Sequence, residues 1–282
     1  MRRLASLLHA NPIVKTHTLV LIAFIGKILY GAEADPREIV TRSIANYEKD
    51  SAAALDFTYT EHDVTKDSTG HPKSTEILQV TVLDGTPYSR LIGRDGHPLS
   101  PEEAARENEK YEKAVASREK ETAEQRARRL RKYGSEWGFL HEVPSAFDIR
   151  MIGHETLLGR PNYVIELIPR SGYVPKARNA RMFPDIRGKL WIDEQDVRWT
   201  MAEAHIINTI SIGWFLARIG PGAHITLKQV KVEGEHWMPK EINIDGSARI
   251  MLVKSRPLDQ SLVYSDYKRV RPAQGTAAAK NR

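Results

Sequence analysis

The stretch that decides the fold is GKLWIDEQDVRWTMAEA, residues 188–204. Leu190 and Ile192 are flanked by the polar residues Lys189 and Asp193, and after an acidic turn Trp199 and Met201 alternate with Arg198 and Thr200. An apolar residue at every second position is typical of a strand that buries one face. Two such strands joined by a short turn predict an antiparallel pair, because a parallel pair needs a long crossover.

The same alternation recurs along most of the chain from residue 57 to residue 270. It includes Leu78, Val80 and Val82; Tyr163, Ile165 and Leu167; Ile225 and Leu227; Ile242 and Ile244; and Ile250 and Leu252. Turn residues such as Gly220-Pro221-Gly222 and Asp245-Gly246 separate these segments. Successive strands with short connections predict one large curved antiparallel sheet.

One amphipathic helix precedes the strands. Asp35-Pro36 supplies a cap and a proline at the first helical position, and Ile39, Val40, Ile44 and Tyr47 follow at helical spacing. The sequence therefore predicts a helix of about four turns whose apolar face covers part of the sheet. The fold class is α+β.

Residues 100–132 interrupt the strand pattern with a run of Glu, Lys and Arg. Ser100-Pro101-Glu102-Glu103 is a capping box, which predicts a helix start. A single helix over this segment would be about 50 Å long and would have almost no apolar stripe. We interpret it as a long, charged, solvent-exposed helical insertion; the alternative is a docking arm for another protein.

Composition excludes several classes of protein. The chain has 282 residues, 41% of them apolar, which is enough to form a core, and it has no cysteine. Disulfides, thiolate metal sites and a lipid-modified cysteine are therefore excluded. Of the net charge of +6, residues 1–34 supply +3 and residues 268–282 supply +5, which leaves −2 for residues 35–267. A nearly neutral body argues against a nucleic-acid partner.

The two termini are expected to lie outside the folded domain. Residues 1–34 begin with basic residues, contain the apolar run 19–26 and end in Ala32-Glu33-Ala34, which predicts a secretory signal peptide cleaved after Ala34. Because Lys27 interrupts the apolar run, an uncleaved N-terminal segment is the alternative. Cleavage would put the domain at residues 35–270, outside the cytoplasm, and we expect residues 271–282 to be a disordered tail.

No catalytic motif is present. The sequence lacks a phosphate loop, a dinucleotide-binding glycine motif and a G-x-S-x-G elbow. His205, His224 and His236 fall on separate predicted strands or turns and could meet in space, but ordinary surface histidines are the simpler interpretation. We therefore predict no enzyme, no cofactor and no metal site.

The apolar side of the predicted sheet has two interpretations. Its side chains either pack a core or, because one short helix cannot cover a long curved sheet, leave an apolar cavity for a ligand with hydrocarbon chains. The alternation alone favours core packing, since every half-buried strand has this pattern.

Two phrases resemble a known family. LLGRPNYVIELIPR, residues 157–170, and GKLWIDEQDVRWTMAEA, residues 188–204, together with the signal-like segment and the first helix, resemble the bacterial periplasmic lipoprotein-carrier superfamily of LolA, LolB and RseB-type proteins. The resemblance implies an incomplete β-barrel around a helical lid, with an acyl-binding cavity. Strand parity then assigns as its lining Leu78, Val80, Val82, Tyr163, Ile165, Leu167, Leu190, Ile192, Trp199, Met201, Ile250 and Leu252.

The resemblance implies a role in lipoprotein sorting toward the outer membrane. Its leading form is a periplasmic carrier that takes the acyl chains of a lipoprotein or lipid from an inner-membrane donor to an outer-membrane acceptor. The alternative is an RseB-like regulator that senses lipids or lipoproteins and docks an inner-membrane partner. A hydrolase that uses His205 or His236 is a third and weaker hypothesis.

Overall fold

The computed structural model of the protein describes residues 34–67, 69–135, 137–212, 217–250, 254–257 and 259–270. The predicted signal peptide, apart from Ala34, and the predicted tail at residues 271–282 lie outside the described residues. The described residues from Ala34 to Val270 form one compact unit. No helix among the described residues combines the length and apolarity needed to cross a membrane.

The predicted N-terminal helix is present as α1, Pro36–Ala53. Asp35 caps it, because its Oδ1 accepts a hydrogen bond from the backbone N–H of Arg37 at 3.0 Å. The apolar residues predicted for one face, Ile39, Val40, Ile44 and Tyr47, are buried.

Eleven strands form one open antiparallel sheet, which confirms the predicted fold class. These are β1 Phe57–Lys66, β2 Pro72–Leu83, β3 Thr86–Arg94, β4 His97–Pro98, β5 Phe147–Leu157, β6 Arg160–Pro169, β7 Ile186–Asp193, β8 Trp199–Ile206, β11 His224–Val232, β12 His236–Asp245 and β15 Gln260–Arg269. Their order is β4-β3-β2-β1-β15-β12-β11-β8-β7-β6-β5. A second sheet contains β9 Ile210–Ile212, β10 Ala217–Ile219, β13 Ser247–Ile250 and β14 Lys254–Pro257, in the order β14-β13-β10-β9.

The charged segment forms two helices, so the prediction of one long helix was wrong. α2 spans Pro101–Glu119 and α3 spans Ala123–Gly134. The break comes from a second capping box, in which Thr122 and Gln125 satisfy each other's backbone N–H groups and start a new helix. Neither helix has a buried residue, as expected of a charged surface segment.

The charged segment also connects the two edges of the large sheet. It leaves β4 at one edge and reaches β5 at the other through the short helix α4, Val143–Ala146. α2 lies over β3, where Tyr111 contacts Tyr88 with ring centroids 5.4 Å apart. This connecting role was not apparent from the sequence.

Strand register defines two faces of the large sheet. One cross-strand row runs through Met151, Ile165, Leu190, Ala202, Leu227, Ile242, Leu262 and Asp63. α1 packs against residues of this row, so we call this side the inner face and the opposite side the outer face. α2 lies on the outer face, because Tyr88 pairs with Thr81, next to the inner-face residues Val80 and Val82.

A β-bulge at Thr200 moves one predicted lining residue to the other face. Trp199 pairs with Ile192, but Met201 pairs with Trp191, which points to the outer face. The expectation that Met201 shares a face with Trp199 was therefore wrong. The bulge is stabilised by the buried Thr200 hydroxyl, which donates to Asn162 Oδ1 at 2.7 Å.

Candidate functional site on the inner face

The inner face has a closed half, over which α1 is held by polar contacts. Trp199 Nε1 donates to Ser43 Oγ at 2.9 Å, and Arg198 Nε donates to Asp50 Oδ2 at 2.6 Å. Asp50 is only 3% exposed, so this ion pair is shielded from water. Tyr47 stacks on Trp199 with ring centroids 4.7 Å apart. These contacts make α1 a fixed part of the core.

Most of the predicted lining on the closed half is core. Ile165, Leu167, Leu190, Ile192 and Trp199 are between 0% and 8% exposed and belong to one cluster with α1. Tyr163 is partly buried against the same cluster. A ligand would have to displace α1 to reach these side chains.

The open half of the inner face lies on β3, β2, β1, β15, β12 and β11. Its apolar and aromatic side chains are Leu91, Leu78, Val80, Val82, Tyr59, Leu262, Tyr264, Ile242, Ile244 and Ile225, whereas Leu227 of β11 packs against the cluster that contains α1. Val80 is buried and the others are half-buried. Six strands spaced about 4.8 Å apart give this surface a width of about 24 Å.

Three carboxylates lie on the face of the open half: Glu61 and Asp63 of β1, and Glu76 of β2, which is the cross-strand partner of Asp63 and pairs with Arg94 at 3.1 Å. Glu61 and Asp63 follow Tyr59 on the same face of β1. Asp63 accepts two hydrogen bonds from Gln260 Nε2, each 2.8 Å long. Burial raises the pKa of Glu61, and the nearby charge of Asp63 raises it further. The open half therefore combines an apolar surface with one acidic position.

Tyrosines surround this acidic position. Tyr59 lies 5.9 Å from Tyr264 and 5.2 Å from Tyr267 between ring centroids. Burial raises the pKa of Tyr59 to about 12 and also raises the pKa of Tyr264 and Tyr267. All three are therefore neutral at physiological pH and offer aromatic surface, and the Tyr267 hydroxyl donates to the Pro239 carbonyl oxygen at 2.6 Å.

A pocket of about 450 Å³ lies between α1, the β2–β3 turn and α3. Leu55, Leu130, Tyr133 and Trp137 are among its lining residues. The electrostatic interaction with Tyr133 also raises the pKa of Tyr47 and that of Tyr59. The pocket is thus close to both the fixed helix and the open half, and Trp137 is 41% exposed beside it.

The predicted lining residues fall into four groups. Leu78, Val80 and Val82 lie on the open half, while the β6–β8 residues on the inner face belong to the closed half. Met201 lies on the outer face. Ile250 belongs to the four-stranded sheet, but the position of its side chain is not described. Leu252 lies outside the described residues.

Several open-half residues were not assigned as lining from the sequence. Tyr59, Tyr264 and Leu262 come from strands at opposite ends of the domain that pair only in the folded sheet. Ile242 and Ile244 were recognised as strand residues, but nothing local indicated that they lie outside the cluster that α1 closes.

The histidines divide between two places. His205 stacks on His224 with ring centroids 4.2 Å apart. His236 lies elsewhere, with its Nδ1 3.6 Å from Asp50 Oδ1 under α1. His205 and His236 therefore lie at separate places in the fold, so the histidines do not form one cluster.

Comparison with known proteins gives structural matches only. No family model matches the sequence, and no curated protein matches it. An outer-membrane lipoprotein-sorting protein domain of Vibrio parahaemolyticus is 14% identical, with a TM-score of 0.38 over 83% of this chain and 93% of that one. A LolA superfamily protein of Nitrosomonas europaea is 12% identical, with a TM-score of 0.34 over 81% and 94%.

A protein complex also matches. MucB, from the MucA–MucB complex of Pseudomonas aeruginosa, is 10% identical, with a TM-score of 0.20 over 78% of this chain and 93% of that one. The resemblance predicted from the sequence is confirmed, since LolA-superfamily proteins and MucB are among the structures similar to this chain. Because these TM-scores are below 0.5, a function for this chain has to be argued from its own residues.

Proposed function

We propose that this protein binds a long acyl chain of a lipid or lipoprotein on the open half of its inner face. The supporting observation is a largely apolar surface about 24 Å wide that α1 leaves uncovered. One leaflet of a bilayer is about 15 Å of hydrocarbon, half of a core of about 30 Å, so a single chain fits along it. Glu61 and Asp63 provide a polar position that orients the ligand's polar end.

Binding of this kind needs no covalent step. Each buried methylene contributes about 0.8 kcal/mol, so a modest change in how much of the chain is covered changes affinity by orders of magnitude. Because α1 is held by Trp199 and Arg198, we infer that the ligand enters without movement of α1. The pocket beside Trp137 is the entry that we favour.

The wider role that we propose is that of a non-enzymatic periplasmic carrier between an inner-membrane donor and an outer-membrane acceptor. The similar proteins are described as a lipoprotein-sorting domain and as MucB in complex with MucA. A signal peptide at residues 1–34 would deliver the protein to the periplasm.

Leu78→Glu tests the proposed surface, with Gln79→Glu as a matched control. Both variants add a carboxylate at neighbouring positions of β2, but Leu78 is on the inner face and Gln79 on the outer face. The control is mild, because Gln79 Oε1 accepts a hydrogen bond from Arg90 at 2.8 Å and a glutamate keeps that bond. Displacement of a fluorescent fatty-acid probe by phospholipid measures binding, and circular dichroism checks folding.

We expect L78E to weaken binding at least tenfold and Q79E to bind like the unchanged protein. Equal binding by both folded variants would contradict the proposal that the open half binds the acyl chain. Transfer of the bound lipid to acceptor vesicles separates the two roles: a carrier releases it, whereas a sensor holds it and binds a protein partner instead.

A further inference from the structure

A second chemical site lies on the outer face, away from the proposed lipid surface. Glu203 and His205 are two residues apart on β8 and point to the same side. His224 on β11 is the direct cross-strand partner of His205. One ligand atom from each of the three residues lies within 4.8 Å of the others.

The contacts of these three residues leave their donor atoms available. Nε2 of His224 is shielded from solvent and has no hydrogen-bond partner among the described residues. Glu203 Oε2 lies 3.9 Å from Nε2 of His205 and 3.9 Å from Nε2 of His224. Both distances are too long for a hydrogen bond. A half-buried carboxylate and a shielded imidazole nitrogen therefore face each other without bonding directly.

From this geometry we propose that Glu203, His205 and His224 bind a divalent transition metal ion of the zinc class. Zinc bonds to nitrogen and oxygen of about 2.0–2.2 Å put tetrahedral ligands about 3.4 Å apart, so each 3.9 Å separation between Glu203 and a histidine must close by about 0.5 Å. The ligand nitrogens of the two stacked histidines lie within 4.8 Å of each other, and side-chain rotation must bring them together as well. Two imidazoles and a carboxylate suit zinc and its neighbours. The fourth position is left for water or an external ligand.

The neighbouring charges are compatible with a cation at this place. Lys189 faces Glu203 from β7, but its Nζ lies over the Trp191 ring, 4.2 Å from the centroid, and 3.9 Å from Glu155 Oε1. Arg187 pairs with His205 and is exposed, and Asp245 pairs with His224 from β12. The nearest lysine is thus engaged elsewhere, and an acidic residue flanks the other side.

Zinc titration of the untagged, chelator-stripped protein tests the site. Isothermal titration calorimetry measures stoichiometry and affinity, and thermal unfolding shows whether zinc stabilises the fold. The variants are the double change His205→Gln with His224→Gln, and Glu203→Gln. His62→Gln is the matched control, because His62 also lies on the outer face of a strand in the same sheet.

We expect the unchanged protein and H62Q to bind one equivalent of zinc and to melt at a higher temperature with it, because the metal links β8 to β11. The double variant should lose more than about 100-fold in affinity, since changes to outer-shell partners alone cost 10–100-fold. E203Q should bind more weakly than the unchanged protein. Absence of stoichiometric binding by the unchanged protein, or equal binding by the double variant, would overturn the proposal.

Discussion

Ile192 represents the residues whose role the structure changes from lining to core. It is 0% exposed and lies in the cluster that α1 closes. Ile192→Ala should lower the free energy of unfolding by about 2–5 kcal/mol, because it leaves a cavity in a packed interior. Val174→Ala, at a side chain that is 77% exposed, is the control and should stay within about 0.5 kcal/mol. Urea unfolding measures both; a small effect of I192A would mean that the closed half is not packed.

At the scale of single residues, the sequence predicts which positions alternate but not where the alternation shifts. Leu190, Ile192 and Trp199 share a face, as parity predicts. Met201 does not, because the bulge at Thr200 depends on a hydrogen bond to Asn162, which is 38 residues away in sequence. A tertiary contact of this kind leaves no local signal.

Among the elements, α3 is attached to the large sheet through Arg129. This side chain is 14% exposed and pairs with Asp84 of the β2–β3 turn and with Glu121, both at 2.7 Å. It also donates to the Asp84 carbonyl oxygen at 2.9 Å. The hydrogen bonds from Arg129 lower the pKa of Glu121 to about 2.

Arg129→Met should therefore destabilise the protein in a pH-dependent way. Because the pKa of Glu121 is lowered on folding from 4.5, the ion pair stabilises the fold above pH 4.5, and this contribution is lost as the pH falls toward about 2. Urea midpoints of R129M and the unchanged protein should differ near pH 7 and converge below pH 4.5. Arg128→Met is the control: Arg128 is 72% exposed and pairs within one helix turn, so its loss should cost at most about 0.5 kcal/mol. Equal effects of the two variants at every pH would contradict this role of Arg129.

The elements themselves were largely predictable, because capping residues and alternation are local. The helix at Asp35-Pro36 and the strands around residues 188–204 are present as predicted. The prediction of a single charged helix was wrong because Thr122 and Gln125 form a cap inside a segment whose composition favours helix throughout. The contact between α3 and the β2–β3 turn could not be predicted, since Arg129 and Asp84 are 45 residues apart.

For the whole molecule, the sequence predicts an antiparallel sheet. It does not predict which part of the inner face packs the core and which part stays open. Pairing of β1 with β15 joins residues about 200 positions apart and creates the open half. The position of α1, which packs on β5 to β8 and also contacts β12, then decides which apolar residues are core. Both depend on contacts between distant segments, so the sequence left core packing and cavity as alternatives. The structure shows core packing beneath α1, and the open half is the surface on which we propose that the ligand binds.

The most direct test of the account is to determine which residues contact a bound acyl chain. A lipid that carries a photoreactive group near the end of its acyl chain is bound to the purified protein and irradiated, and the labelled residues are identified by mass spectrometry. The account predicts labels on open-half residues such as Leu78, Val82, Ile242 and Ile244. Labels confined to the outer face, or on Ile165 and Ile192 beneath α1, would contradict it.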